Sequence, residues 1–146
     1  MRIASLVPSL TELLFALGLG PWVVARTGYC IHPADAVAAV PKVGGTKDVN
    51  LAKLRRLAPT HVLVNIDENQ AATAQALREL VPHVIVTHPC APAEVDGLIA
   101  QVARTFADVP GVAEAAAALR AELQRELAAH RPGPQGRRRD VPHALL

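Results

Sequence analysis

Aromatic side chains are nearly missing from this sequence: two Phe, one Trp and one Tyr make up 3% of the 146 residues. A nucleic-acid surface that works by base stacking needs several such platforms, so that class is excluded. Cysteine is equally scarce. Two residues, Cys30 and Cys90, cannot staple a disulfide scaffold, and an apolar share of 51% supplies a core without staples. Long apolar runs are absent because Pro8, Glu12 and Pro21 interrupt the richest stretch, so no membrane-spanning helix is expected. A dominant charge is lacking too. Four of the fifteen bases and one of the thirteen acids fall in residues 131–146, which leaves eleven bases against twelve acids upstream. A body so close to neutrality offers no footprint for nucleic acid or anionic lipid.

No export signal is expected in the sequence as written. Met1-Arg2 ahead of Leu13-Leu14-Phe15-Ala16-Leu17 has a charged start and a short apolar run. However, Ser9-Leu10-Thr11-Glu12 has the S-x-x-E spacing of a helix capping box, which a cleaved leader does not need. As written, the chain is expected in the cytoplasm, or in the periplasm if a start lies upstream.

What is present is an alternation of short β-rich runs and helical patterns. Arg2 to Val7 predicts a first strand, Ser9 to Leu17 a helix ended by Gly18, and Trp22 to Arg26 a second strand. Asn50 is placed to cap a helix carrying Leu51, Leu54 and Leu57, stopped before Pro59. Thr60 to Asn65 and His83 to Thr87 read as two more strands. Their apolar centres are continuous, as in a parallel sheet covered on both faces. Asn69 to Leu80 between them and Pro92 to Phe106 after them have helical spacing. The result is a βαβ rhythm and an α/β fold with an open parallel sheet of about four strands. Gly111 to His130 contains no proline and puts Val112, Ala116, Leu119, Leu123 and Leu127 on one stripe of a helix ~30 Å long. Residues 131–146 form a basic, Pro- and Gly-containing tail.

In an open parallel sheet, ligands collect beyond the carboxyl ends of the strands. The loops there are residues 8–11, 27–32, 65–69 and 87–90. To these is added Val43 to Asn50, where Gly44-Gly45 either makes a tight turn before the Asn50 helix or lets the backbone approach a ligand closely. No G-x-G-x-x-G follows a strand, and Gly44-Gly45-Thr46-Lys47 lacks P-loop spacing. No serine sits in a nucleophile elbow. Asp67 and Glu68 are neighbouring acids beside a helix start, fit either to complement the helix dipole or to act as a pair. His61 and His83 open strands and read as partly exposed residues. Cys30-x-His32 and His88-x-Cys90 together supply the ligand set of a Cys₂His₂ metal site. With strands ordered 2-1-3-4, however, the second and fourth lie three spacings apart, ~14 Å, and the loops would have to fold inward to share one ion.

Several of these segments together resemble a known family. They are Arg2-Ile3-Ala4-Ser5-Leu6-Val7-Pro8-Ser9-Leu10-Thr11-Glu12-Leu13-Leu14-Phe15-Ala16-Leu17-Gly18, Gly28-Tyr29-Cys30-Ile31-His32-Pro33, Pro41-Lys42-Val43-Gly44-Gly45, Asn50-Leu51 and Leu57-Ala58-Pro59-Thr60-His61-Val62-Leu63-Val64. The chain from residue 2 to about residue 130 is similar to the N-terminal lobe of the helical-backbone periplasmic-binding proteins, the cobalamin, heme and iron-siderophore receptors of ABC importers, and most resembles the cobalamin branch. The resemblance implies two α/β lobes joined by one long helix, with the ligand held in the cleft between them. Residues 1–110 would then be the ligand-binding lobe, 111–130 the joining helix and 131–146 a flexible tail, with the second lobe expected to be absent. It also implies ligand contacts at Tyr29, Gly44, Gly45, Thr46, Asn65, Asp67 and Glu68. Receptors of this kind resemble one another in having an acid after the Asn-Leu pair that meets basic residues on the permease. Here that position holds Ala52, followed by Lys53.

The expectation is therefore a non-enzymatic lobe without an intrinsic cofactor. It would recognise a corrinoid or similar metal chelate, for ABC-type uptake or intracellular handling. Two other classes remain open: a small α/β domain dimerising through the stripe of its last helix, and a metal-binding protein using Cys30, His32, His88 and Cys90.

Overall fold

The computed structural model describes residues 1–65, 69–88 and 94–129. Among them, four strands form one parallel sheet in the order β2-β1-β3-β4: β1 (Ile3–Ser5), β2 (Val23–Arg26), β3 (His61–Asn65) and β4 (His83–Thr87). This is the order that the spacing argument above assumed. The strand residues divide between two cores, alternating along β1, β3 and β4, while at β2 a register shift against β1 puts Val23 in one and Ala25 in the other. Ile3, Val23, Leu63 and Ile85 join one cluster, while Ala4, Ala25, Val62 and Val64 join the other. Two-sided burial explains why the strands are apolar without interruption.

Helix α1 (Pro8–Ala16) follows β1 and starts earlier than the capping-box pattern predicts. Pro8 occupies the first turn, where its missing N–H costs nothing, so Val7 becomes the N-cap and no side chain caps the helix. Ser9 lies inside the helix, and the Ser9–Glu12 box is not formed. The first strand shortens accordingly from Arg2–Val7 to three residues. Gly18 ends the element at φ +79°, as expected. Trp22 belongs to a 3₁₀ turn (Gly20–Trp22) rather than to β2.

A short helix not foreseen in the sequence, α2 (Ala34–Val37), precedes α3 (Leu51–Leu57). The Asn50 side-chain oxygen accepts the Lys53 amide at 3.0 Å, the predicted cap. Ala58 closes α3 in the left-handed region, φ +50°. Helix α4 (Ala71–Leu80) begins two residues later than its apolar spacing suggests, and α5 (Val95–Thr105) covers the described part of the expected 92–106 helix. Helices α1 and α5 cover one face of the sheet, α3 and α4 the other.

The last helix, α6 (Val112–Ala129), begins after Gly111 at φ +89°. Its 18 residues span about 27 Å at 1.5 Å each. Val112, Ala116 and Leu123 are buried, and Leu119 and Leu127 pack beside them against the α1/α5 core. Arg120 on α6 holds Asp96 on α5 through two hydrogen bonds of 2.9 Å. The stripe from Val112 to Leu127 is thus occupied within the lobe and is not free to serve as a dimer seam. The basic tail after Arg131 lies outside the described residues.

Candidate functional site

The carboxyl ends of β1, β2 and β3 deliver three loops to one side of the sheet. The first, after β2, is held by a buried cation. Arg26 is 5% exposed, and its guanidinium donates to the carbonyls of Val40 and Cys30, each at 3.0 Å. Among the described residues its charge is met by carbonyl dipoles rather than by a carboxylate. Cys30 is buried beneath this loop, with its thiol 3.1 Å from the Thr27 hydroxyl and 4.0 Å from the Ser5 carbonyl. Ser5 in turn accepts from the Thr11 hydroxyl at 2.8 Å. The two braces fix the chain on both sides of Tyr29 and leave the phenol itself 66% exposed.

The second loop, residues 43–50, is nearly a closed ring. The Asn50 amide donates to the Val43 carbonyl at 2.7 Å, and Gly28 donates to Gly44 at 2.8 Å. Gly44 sits at φ +99°, and a side chain there would run into the Asp48 carbonyl. A methyl group on Gly45 would overlap the Asp48 carboxylate and lie 3.2 Å from the Tyr29 ring. The Tyr29 ring edge therefore rests on bare backbone. Of the two possibilities raised by the glycine pair, the tight turn is formed, and the group that comes close to its main chain here is the Tyr29 ring.

Pro8, Tyr29, Thr46, Lys47 and Asp48 line an open recess of about 240 Å³. A second, of about 250 Å³, lies against β3 and α4 and includes Asn65, Asn69, Gln75 and Arg78. Of the seven ligand-contact positions expected from the sequence, Tyr29, Gly44, Gly45 and Thr46 come together around the first recess. Asn65 ends β3 and lines the second. Asp67 and Glu68 lie outside the described residues.

The residue that links the two recesses was not singled out in the sequence. Asn69 is 4% exposed and stands just before α4. Its side-chain oxygen accepts the Asn65 amide at 2.9 Å, while its nitrogen donates to the carbonyls of Thr46 at 2.8 Å and Leu6 at 3.3 Å. Its helix-like composition context concealed it. The available signal was a carboxamide between a buried strand and the next helix, close to loops whose carbonyls need donors.

The Cys/His alternative is not assembled. Cys30 follows β2 and His88 follows β4, the two opposite edges of the sheet, and both His32 and His88 are exposed. Cys90 lies outside the described residues. Among the described residues, no group of three His, Cys, Asp or Glu side chains is placed to hold a metal ion, and no helix is long and apolar enough to cross a membrane. His61 and His83 are respectively half-buried and exposed, as expected, at the opposite end of the strands.

Comparison with known proteins agrees with this geometry. Residues 3–133 match the family model described as periplasmic binding protein. A stretch of 79 residues is 40% identical to an uncharacterized ABC transporter substrate-binding lipoprotein, YvrC, of Bacillus subtilis (strain 168), covering 54% of this chain and 24% of that protein. Among solved structures, the periplasmic heme-binding protein RhuT from Roseiflexus sp. RS-1 superposes with a TM-score of 0.75 at 27% identity, over 88% of this chain and 48% of that one. The periplasmic vitamin B12 binding protein BtuF of Vibrio cholerae gives 0.75 at 26% identity, over 90% and 52%. The chain thus spans about half the length of the solved relatives it matches.

Proposed function

The chain belongs to the periplasmic binding protein family, and from that premise we propose that it supplies one wall of a ligand cleft receiving a corrinoid such as cobalamin, or a similar large metal chelate, for ABC-type uptake. The role is binding rather than catalysis. The observation that carries this reading is the exposed Tyr29 ring seated on the bare backbone of Gly45, above an open recess. An aromatic face with a polar tip suits a broad, largely apolar ligand with a few polar edges. The main chain of residues 44–46 allows such a ligand to come close. The names of the two solved relatives specify heme and vitamin B12, both metal chelates of this size.

Tyr29, Gly44, Gly45, Thr46, Asn65, Asp67 and Glu68 are the proposed contacts. The partner this reading implies is an importer permease. The exposed Ala52 and the following Lys53, at the start of α3, offer it no acid. One wall buries only one face of a ligand, and binding pockets normally enclose most of it, so weak affinity is expected.

Titration of the chain with cyanocobalamin and with hemin, followed by visible absorbance and calorimetry, tests the proposal. Saturable binding of either in the micromolar range, weakened by Tyr29→Ala, supports it. No spectral change and no heat with either chelate at high micromolar concentration overturns it.

A further inference from the structure

We propose that Asn69 is the positioning residue of this surface: one buried carboxamide sets the glycine loop, the end of β3 and the end of β1 in register with one another. The inference rests on the reading above in naming these loops as ligand-facing, but its geometry is independent of any ligand. Three chain segments 4, 23 and 63 residues distant in sequence meet at this side chain. Its partners also fix which way the amide points. An N–H faces one end and two carbonyls face the other, so only the oxygen can meet Asn65 and only the nitrogen can meet Thr46 and Leu6. Both donor hydrogens are used. A second tie between the same two residues reinforces the first, since the Asn69 amide donates to the Asn65 carbonyl at 2.9 Å.

Other side chains cannot do this. Alanine takes the side-chain partner away from the Leu6 and Thr46 carbonyls and from the Asn65 amide. Aspartate keeps the shape but turns an oxygen toward two carbonyl oxygens, and it regains a donor only when protonated. Thr46 is the point where the tie reaches the Tyr29 recess, and Asn65 is where it reaches the second one. Asn69 itself is too buried to form much of the surface. It acts through the loops it holds.

Amide hydrogen exchange by NMR on the chain and its Asn69→Ala variant tests the tie without a ligand. The Asn65 amide is expected to exchange at least tenfold faster in the variant. The Leu54 amide, bonded to Asn50 in α3 at 3.0 Å, serves as the control and is expected to stay within twofold. Equal acceleration at both positions means general loosening and overturns the proposal, as does no change at Asn65. In cyanocobalamin and hemin titrations, Asn69→Ala is expected to weaken any binding at least tenfold. Asn69→Asp is expected to recover it as the pH falls from 8 to 5, while the parent chain shows no such gain. Unaltered affinity in both variants overturns the proposal. If the parent chain binds neither chelate, the ligand reading fails and the exchange result alone decides the role of Asn69.

Discussion

The rings of His61 and His83 stack with centroids 4.7 Å apart and planes 25° from parallel, at the end of the sheet remote from the recesses. They are direct register partners on β3 and β4, and His61 also packs against Phe106 at 5.1 Å. Burial holds the His61 imidazole below its ordinary value of 6.5, and His83 and the chain's amino terminus add to the effect in the same direction.

A pH dependence follows from that depression. Above pH 6.5 His61 is neutral in both the folded and the unfolded chain, so its contribution is fully present. Below it the unfolded state takes up a proton that the folded state resists, and stability falls as the pH drops toward the lowered folded value. Thermal unfolding between pH 8 and 5 is expected to show this loss. His83→Gln is expected to make it shallower, leaving only the burial and amino-terminal contributions.

The two ends of α3 predict opposite signs. Asn50→Ala removes the cap on the Lys53 amide and is expected to cost about 1 kcal/mol. Ala58→Gly relieves a left-handed alanine at φ +50° and is expected to gain about 1 kcal/mol. Urea titrations of both variants measure these differences. A destabilised Ala58→Gly would contradict the backbone geometry.

Helix α6 is tested by contrasting two residues. Leu123 is fully buried in the α1/α5 core, so Leu123→Ala is expected to cost about 2–5 kcal/mol. Arg120 is exposed, although it lowers the acidity constant exponent of Asp96 by hydrogen bonding to it. Arg120→Ala is therefore expected to leave the melting temperature close to that of the parent. Equal effects would mean that α6 is not packed as described.

Gly45→Ala separates ligand recognition from folding. The added methyl group must push aside the Asp48 carboxylate and the Tyr29 ring, so chelate binding is expected to weaken about tenfold. Tyr29→Phe, which keeps the ring, is expected to lose less than Tyr29→Ala. Because Tyr29 is exposed, neither Tyr29 variant is expected to shift the melting temperature appreciably.

How much of this was legible in the sequence depended on the range of the interactions involved. The strands showed as short apolar runs, and the Asn50 cap and the Gly18 stop rest on contacts a few residues apart; each appears close to its predicted place. The Ser9 box failed because two local signals competed. Pro8 at the first turn moved the helix start, leaving Ser9 two positions past the cap. Asn69 was missed for the opposite reason: its partners Thr46 and Leu6 are distant in sequence, and no periodicity reports such a tie. The stripe on α6 was visible, but its destination was not, because a 3.6-residue repeat shows that a face is covered and not what covers it.

The wall between Gly44 and Thr46 is made of main chain, and its shape is set by hydrogen bonds to Gly28 and Asn69. If the proposed cleft is right, substitutions at neighbouring exposed positions would retune which guest it accepts without erasing that wall. A scaffold of this kind can pass from one guest to another in evolution while its framework stays in place.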